Sequence, residues 1–178
     1  QQLVTELYKI GVDALIVQDM ALLFLQLPPI ALHASTQCDI RSPQKAQFLA
    51  QAGFSQLVLP REMSLDEIAQ VHAAVPDAPL EAFCHGALCV CYSGDCQSSL
   101  LTTGRSANRG ECAQICRLPF DLIDGDGRAV IKGKHLLSLR DMDRRADLAA
   151  MAAAGISSFK IEGRLKEMAY VKETVGEY

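Results

Sequence analysis

Residues 42–53, Ser42-Pro43-Gln44-Lys45-Ala46-Gln47-Phe48-Leu49-Ala50-Gln51-Ala52-Gly53, are followed by Gln56-Leu57-Val58-Leu59-Pro60, then Ser64-Leu65-Asp66-Glu67, then Leu80-Glu81-Ala82-Phe83-Cys84. Ser42 is a helix cap, Pro43 suits a first helical position and Gly53 is a stop. The run at 56–60 is short and continuously apolar, as a buried parallel strand is. Ser64 and Glu67 form a capping box that opens a second helix through Ile68, Val71 and Ala74, and residues 80–84 read as the next strand. Helix, strand, helix and strand joined by short loops predict a parallel sheet covered by helices.

The same rhythm extends outward. Asp13–Gln18 and Pro29–Thr36 read as two earlier strands, after a helix over Leu3, Leu7 and Ile10 that Gly11 closes. Beyond Gly86 the rhythm breaks until about Leu139, with short strand-like pieces at 120–123 and 129–131 flanking Asp124-Gly125-Asp126-Gly127. It returns with a helix through Leu148 and Met151, a fifth strand at 157–162 and a helix from about Leu165 to Val175. About 31 residues per unit is the repeat of a (β/α)8 barrel, and no Gly-rich phosphate loop follows the first strand as a doubly wound sheet would usually have. The expected fold is α/β, a partial TIM-like (β/α)8 barrel with about five of eight units. Residues 1–178 would form one incomplete barrel domain, with a Cys-rich insertion at 87–139 between the fourth and fifth strands. The chain begins without Met and ends in a helical pattern, so it reads as part of a longer protein. Open sheet edges then predict self-association.

Composition narrows the function. The 178 residues are 49% apolar and 21% charged, enough to bury a core. Seventeen Lys and Arg against 21 Asp and Glu give −4, which argues against coating nucleic acid by charge alone. No apolar run reaches the roughly 18 residues of a membrane span. Seven cysteines without a secretory signal predict a reducing, cytoplasmic setting.

Six of those cysteines (84, 89, 91, 96, 112 and 116) crowd into 33 residues. Cys89, Cys96, Cys112 and Cys116 give C-x6-C-x15-C-x3-C, four soft ligands on two loop segments. Structural zinc usually has C-x2–4-C in both halves, so the first gap suits an iron–sulfur cluster better. Zinc, or free buried thiols, are the alternatives. Cys84 reads as core and Cys38 as a loop residue.

These residues carry a resemblance. Glu81-Ala82-Phe83-Cys84-His85-Gly86-Ala87-Leu88-Cys89, Tyr92-Ser93-Gly94-Asp95-Cys96 and Asn108-Arg109-Gly110-Glu111-Cys112-Ala113-Gln114-Ile115-Cys116-Arg117 resemble the signature of the U32 family, the collagenase-like peptidases. His33-Ala34-Ser35-Thr36-Gln37 and Phe159-Lys160-Ile161-Glu162-Gly163-Arg164 are similar to it as well. The resemblance implies the later part of a TIM-like barrel. It also implies either peptidase activity or cluster-dependent hydroxylation of tRNA, rRNA or a quinone precursor. In the hydroxylases it implies a 4Fe-4S cluster on Cys89, Cys96, Cys112 and Cys116, and in the RNA-modifying branch a dependence on prephenate. The expected function is therefore hydroxylation of an RNA base. A peptidase is the second reading and a non-catalytic zinc-binding module the third.

Adjacent residues on a strand point to opposite faces, so Cys84 and His85 do not make a nucleophile–base pair. No H-E-x-x-H helix exists for a zinc peptidase. In a barrel the strand C-termini form the working face. That places His85, Arg61, Glu162 and Arg164 as candidates to position substrate. The plainer readings are a packed histidine at 85 and a local Arg61–Glu62 ion pair. His33 reads more simply as part of a tightly packed strand, and the direction of Lys160 stays open. Residues 104–145 hold nine basic against six acidic side chains, a local excess that could guide RNA phosphates, or a solvated mixed-charge loop.

Overall fold

A computed structural model describes residues 1–163 and 166–178. Helix α1 (Gln2–Lys9) precedes β1 (Ala14–Val17) and β2 (Ala31–Ala34), followed by α2 (Pro43–Ala52), β3 (Gln56–Val58), α3 (Leu65–Ala74) and β4 (Leu80–Gly86). Next come a short helix α4 (Ser98–Thr103), a hairpin of β5 (Phe120–Ile123) and β6 (Ala129–Lys134), and a two-residue strand β7 (Met142–Asp143). Helix α5 (Leu148–Ala153), β8 (Ile156–Ile161) and α6 (Met168–Glu177) complete the order.

The caps act as read. Ser42 Oγ accepts the Lys45 N–H, Gly53 closes α2 at a left-handed φ, and Ser64 and Glu67 form both arms of the capping box. Strands β1, β2, β3, β4 and β8 pair in parallel in that sequential order, with no reversal; β7 adds antiparallel at the end of β4. Sequential parallel order is the winding of a singly wound sheet rather than of a doubly wound one, whose order reverses.

Register divides the sheet into two faces. Val17, Ala34, Leu57, Leu80 and Ile156 are partners across all five parallel strands. They pack into one apolar cluster with Ala46 and Leu49 of α2, Ile68 and Val71 of α3 and Met151 of α5. Fully burying such a side chain stabilises by about 1.5–3 kcal/mol. The opposite face carries Ile16, His33 and Gln56 in one row, and Glu81, Phe83 and Lys160 beside them.

The buried carboxylate of that second face is satisfied. Glu81 is buried and accepts from Gln56 Nε2 at 2.7 Å, Lys160 Nζ at 2.8 Å and Ser158 Oγ at 3.1 Å. Three donors offset the cost of desolvating one carboxylate. Lys160 therefore lies on the side away from the helices.

Residues 87–139 differ from this body. Every residue from 121 to 140 is exposed, and α4 is the one α-helix of the segment. The turn of the β5–β6 hairpin is made by Asp124, whose Oδ1 accepts from Asp126 N and Arg128 N. No helix of the described residues is long and apolar enough to cross a membrane.

Candidate functional site

The C-terminal ends of the parallel strands and the first half of the 87–139 segment meet. Glu62, just past β3, accepts the Ser93 N–H at 2.9 Å and the Ser93 hydroxyl at 3.1 Å. Gln37, just past β2, accepts the Gly94 N–H at 2.9 Å. Gly94 has φ +79°, and a Cβ there would stand 2.5 Å from the Gln37 carbonyl, so only glycine lets the two chains touch. Thr36 donates towards Leu59 O and Ser93 Oγ. These contacts lock the cysteine-bearing loop onto the strand ends.

The expected Arg61–Glu62 ion pair is not what forms. Arg61 instead reaches Glu162, 101 residues away, with Nη2 to Oε2 at 2.6 Å. Its guanidinium stacks 3.6 Å from the Phe83 ring centroid, and its Nε is buried without an acceptor. Two sequence candidates, Arg61 and Glu162, are thus joined on the polar side of the sheet. Gly86 allows this approach: at φ +115°, a Cβ would lie 2.4 Å from the Glu162 carbonyl oxygen.

His85 is placed differently. Tyr178 donates its single hydroxyl proton to Cys84 O at 2.8 Å, so the 3.2 Å contact with His85 Nδ1 is donated by the imidazole. Nε2 then accepts from Tyr170 at 3.1 Å. Both ring nitrogens are engaged, by Tyr170 of α6 and by Tyr178 just past its end. Burial, with the nearby Cys84 and Asp143 charges, pushes the Tyr178 phenol up to about 12. Arg164 lies outside the described residues. His33 is partly buried in β2, where it faces Ile16 and Gln56 in register.

The cysteines sort into two groups. Cys84 is in the core, with its thiol towards Lys160 O, and burial raises it. Cys38 lies in the turn after β2, as read, and is buried there; its thiol points at Val17 O, 3.7 Å away. The other five lie in one another's electrostatic field. Burial raises the Cys89 thiol, Arg61 opposes that, and Cys112, Cys116 and Cys96 reinforce it. Cys116 is raised by burial and by Cys112 and Cys96. Cys91, placed against Cys96, is pushed up to about 11 by burial first and Cys96 next.

Among the described residues no three Cys, His, Asp or Glu side chains converge at metal-holding geometry. The donor set nevertheless suits a soft metal centre. The Cys89 and Cys116 thiols are raised in part by repulsion from their cysteine neighbours, and a bound cation would remove that repulsion. Cys112 Sγ accepts the Gln114 N–H at 3.3 Å, the kind of amide–sulfur contact that tunes cluster ligands. Asn108 Oδ1 accepts the Cys96 N–H at 2.9 Å.

Arg117 is spent internally rather than offered to phosphate. Its guanidinium donates to Leu88 O at 2.7 Å, to Ser138 Oγ at 3.0 Å and to Leu139 O. Arg145 is likewise held by Asp143 and Glu177, each at 2.5 Å. The expected basic excess is reduced to Arg105, Arg109, Arg128, Lys132, Lys134 and Arg140, all exposed, and the partly buried Arg144.

The sequence profile of peptidase family U32 matches residues 1–178. The chain belongs to this family. It is 59% identical over 178 residues, all of its length, to the 23S rRNA 5-hydroxycytidine C2501 synthase of Escherichia coli (strain K12), covering 27% of that protein. It is 36% identical over 157 residues, 85% of its length, to tRNA hydroxylation protein P1 of Bacillus subtilis (strain 168), covering 37% of it. Its identity to a collagenase of Porphyromonas gingivalis (strain ATCC BAA-308 / W83) is 32% over 176 residues, 92% of the chain and 42% of the relative. The chain thus spans under half the length of these U32 relatives. No solved structure matches the chain.

Proposed function

We propose that this U32 chain is the site-bearing part of an enzyme that hydroxylates a base of ribosomal or transfer RNA. The observation that carries the reading is the 59% identity, without loss of coverage on this side, to a 23S rRNA hydroxycytidine synthase. The five sequential parallel strands are proposed as units of a (β/α)8 barrel, with residues 87–139 as its Cys-rich insertion and 1–178 as one barrel domain. The strand ends that bind this insertion are then the barrel's working face.

In this reading Cys89, Cys96, Cys112 and Cys116 hold an iron–sulfur cluster, which supplies one-electron chemistry when bound. Zinc in the same place would give a structural site only. The chain's own residues do the rest. Arg61 and Glu162 fix each other over Phe83, presenting a rigid polar edge to substrate. His85 holds Tyr170 of α6 and the following Tyr178 against the strand end. Arg164, outside the described residues, is proposed to position substrate as well. Glu62 and Gln37 keep the cysteine loop seated.

Peptide hydrolysis fits the side chains less well. The Cys84 thiol is buried in the core, whereas the His85 ring turns to two tyrosines, so no nucleophile–base contact forms. Anaerobically purified protein is expected to add one oxygen atom to a pyrimidine of unmodified rRNA or tRNA, read by nucleoside mass spectrometry, and to leave gelatin intact. Gelatin cleavage with no change in RNA would reverse the assignment.

A further inference from the structure

Arg109 and Gln18 have side chains with no bonding partner among the described residues. Arg109 has no acidic partner among the described residues, and the Gln18 amide makes no side-chain hydrogen bond there. Both line one cavity of about 440 Å³, between the C-terminal ends of β1 and β2 and the turn that precedes Cys112. Ile16 and Leu22 give it apolar surface, and the exposed Asp19 also lines it. Asp19 uses Oδ1 to cap Ala21 N at 2.9 Å, which leaves Oδ2 as an acceptor. Asn108 lines the same cavity while its Oδ1 holds the Cys96 N–H.

We propose that this cavity takes the target nucleotide of the RNA, a pyrimidine turned out of its stack, and that Asp19 selects one with an exocyclic amine. The proposal rests on the hydroxylase reading above and adds the recognition site to it. Flipped bases are bound by apolar contact to the ring and hydrogen bonds to the pairing edge. Ile16 and Leu22 supply the first. Gln18 and Asp19 supply the second, and a carboxylate accepts from the cytosine N4 amine but has nothing to give the uracil O4. Arg109 is the cation for the attached phosphate. Asn108 bridges the two sites, because one of its atoms fixes Cys96 while the residue walls the nucleotide cavity. A base held here is next to the cysteines without touching them.

The test uses the intact protein and two mononucleotides, cytidine and uridine 5′-monophosphate, with binding followed by saturation-transfer NMR. Wild type is expected to bind the cytidine compound at least about tenfold more tightly than the uridine one, the scale of one selective polar contact. Asp19→Asn keeps an oxygen for the Ala21 cap, so the fold is retained, and it is expected to erase or invert the preference. Arg109→Ala is expected to weaken the monophosphate while leaving free cytidine unchanged. Equal binding of the two mononucleotides to wild type, no binding of either, or an unchanged preference in Asp19→Asn would overturn the proposal. RNA hydroxylation by the same protein separates the two readings. Hydroxylation with no Asp19-dependent preference removes the pocket and keeps the activity; preference without hydroxylation keeps the pocket and removes the activity.

Discussion

The parallel-sheet body and the segment at 87–139 are stabilised in different ways. In the body, side chains from five strands and three helices converge on one cluster, and Leu57, Val58, Leu59 and Leu80 are wholly buried. In the segment, Leu122, Ile123, Val130 and Ile131 of the hairpin are exposed, and order comes from single polar contacts: Glu62 to Ser93, Gln37 to Gly94, Asn108 to Cys96 and Arg117 to Leu88. One region is held by area, the other by a few directed bonds. A scaffold of the first kind can carry a loop of the second kind, whose cysteines are arranged by specific partners rather than by packing.

The contrast is sharpest under truncation. Leu57→Ala is expected to cost about 2–5 kcal/mol in denaturant unfolding, because it opens a cavity in the body. Leu122→Ala should stay within about 0.5 kcal/mol. Similar losses at the two positions would break the distinction. Arg117→Met, which leaves the Leu88 and Leu139 carbonyls without their donor, is expected to speed amide exchange through residues 118–139 and leave β1–β4 protected. Faster exchange throughout the molecule would mean that the segment supports the body.

A smaller effect than the core truncation concerns a cap. Ser64→Ala removes one arm of the box that opens α3 and is expected to cost about 1 kcal/mol near neutral pH. The Ser64 amide, and then its hydroxyl, hold the Glu67 carboxyl below its usual range. A depressed carboxylate stabilises above its unfolded pKa of about 4.3 and loses that stabilisation as pH falls below it. The gap between wild type and Ser64→Ala should therefore narrow from pH 6 to pH 3 in thermal melts. A constant gap would place the effect in the uncharged arm alone, where Ser64 Oγ accepts the Glu67 N–H.

The sequence made the body readable because its signals are local. Ser42 with Pro43, Ser64 with Glu67 and the glycines at 53 and 155 mark element ends within a few residues, and the apolar runs fall between them. Boundaries moved by a residue or two, as at β4, which extends to Gly86. Strand β7 escaped notice because two residues carry no period; pairing with His85 and Gly86 makes them a strand. The site was half legible. Four cysteines in a recognisable spacing could be read, as could Arg61 and Glu162 as separate candidates. Their union could not, since nothing in the neighbourhood of Arg61 announces a partner 101 residues on. Arg117 was read as surface charge for the same reason: its acceptors are backbone carbonyls, which leave no mark in a sequence.

Iron, acid-labile sulfide and zinc in protein purified without oxygen test the central claim most directly, with Cys112→Ala and Cys91→Ala beside wild type. About four iron and four sulfide per chain are expected in wild type and in Cys91→Ala, and a loss of both in Cys112→Ala. Stoichiometric zinc, or iron that survives Cys112→Ala, would contradict it.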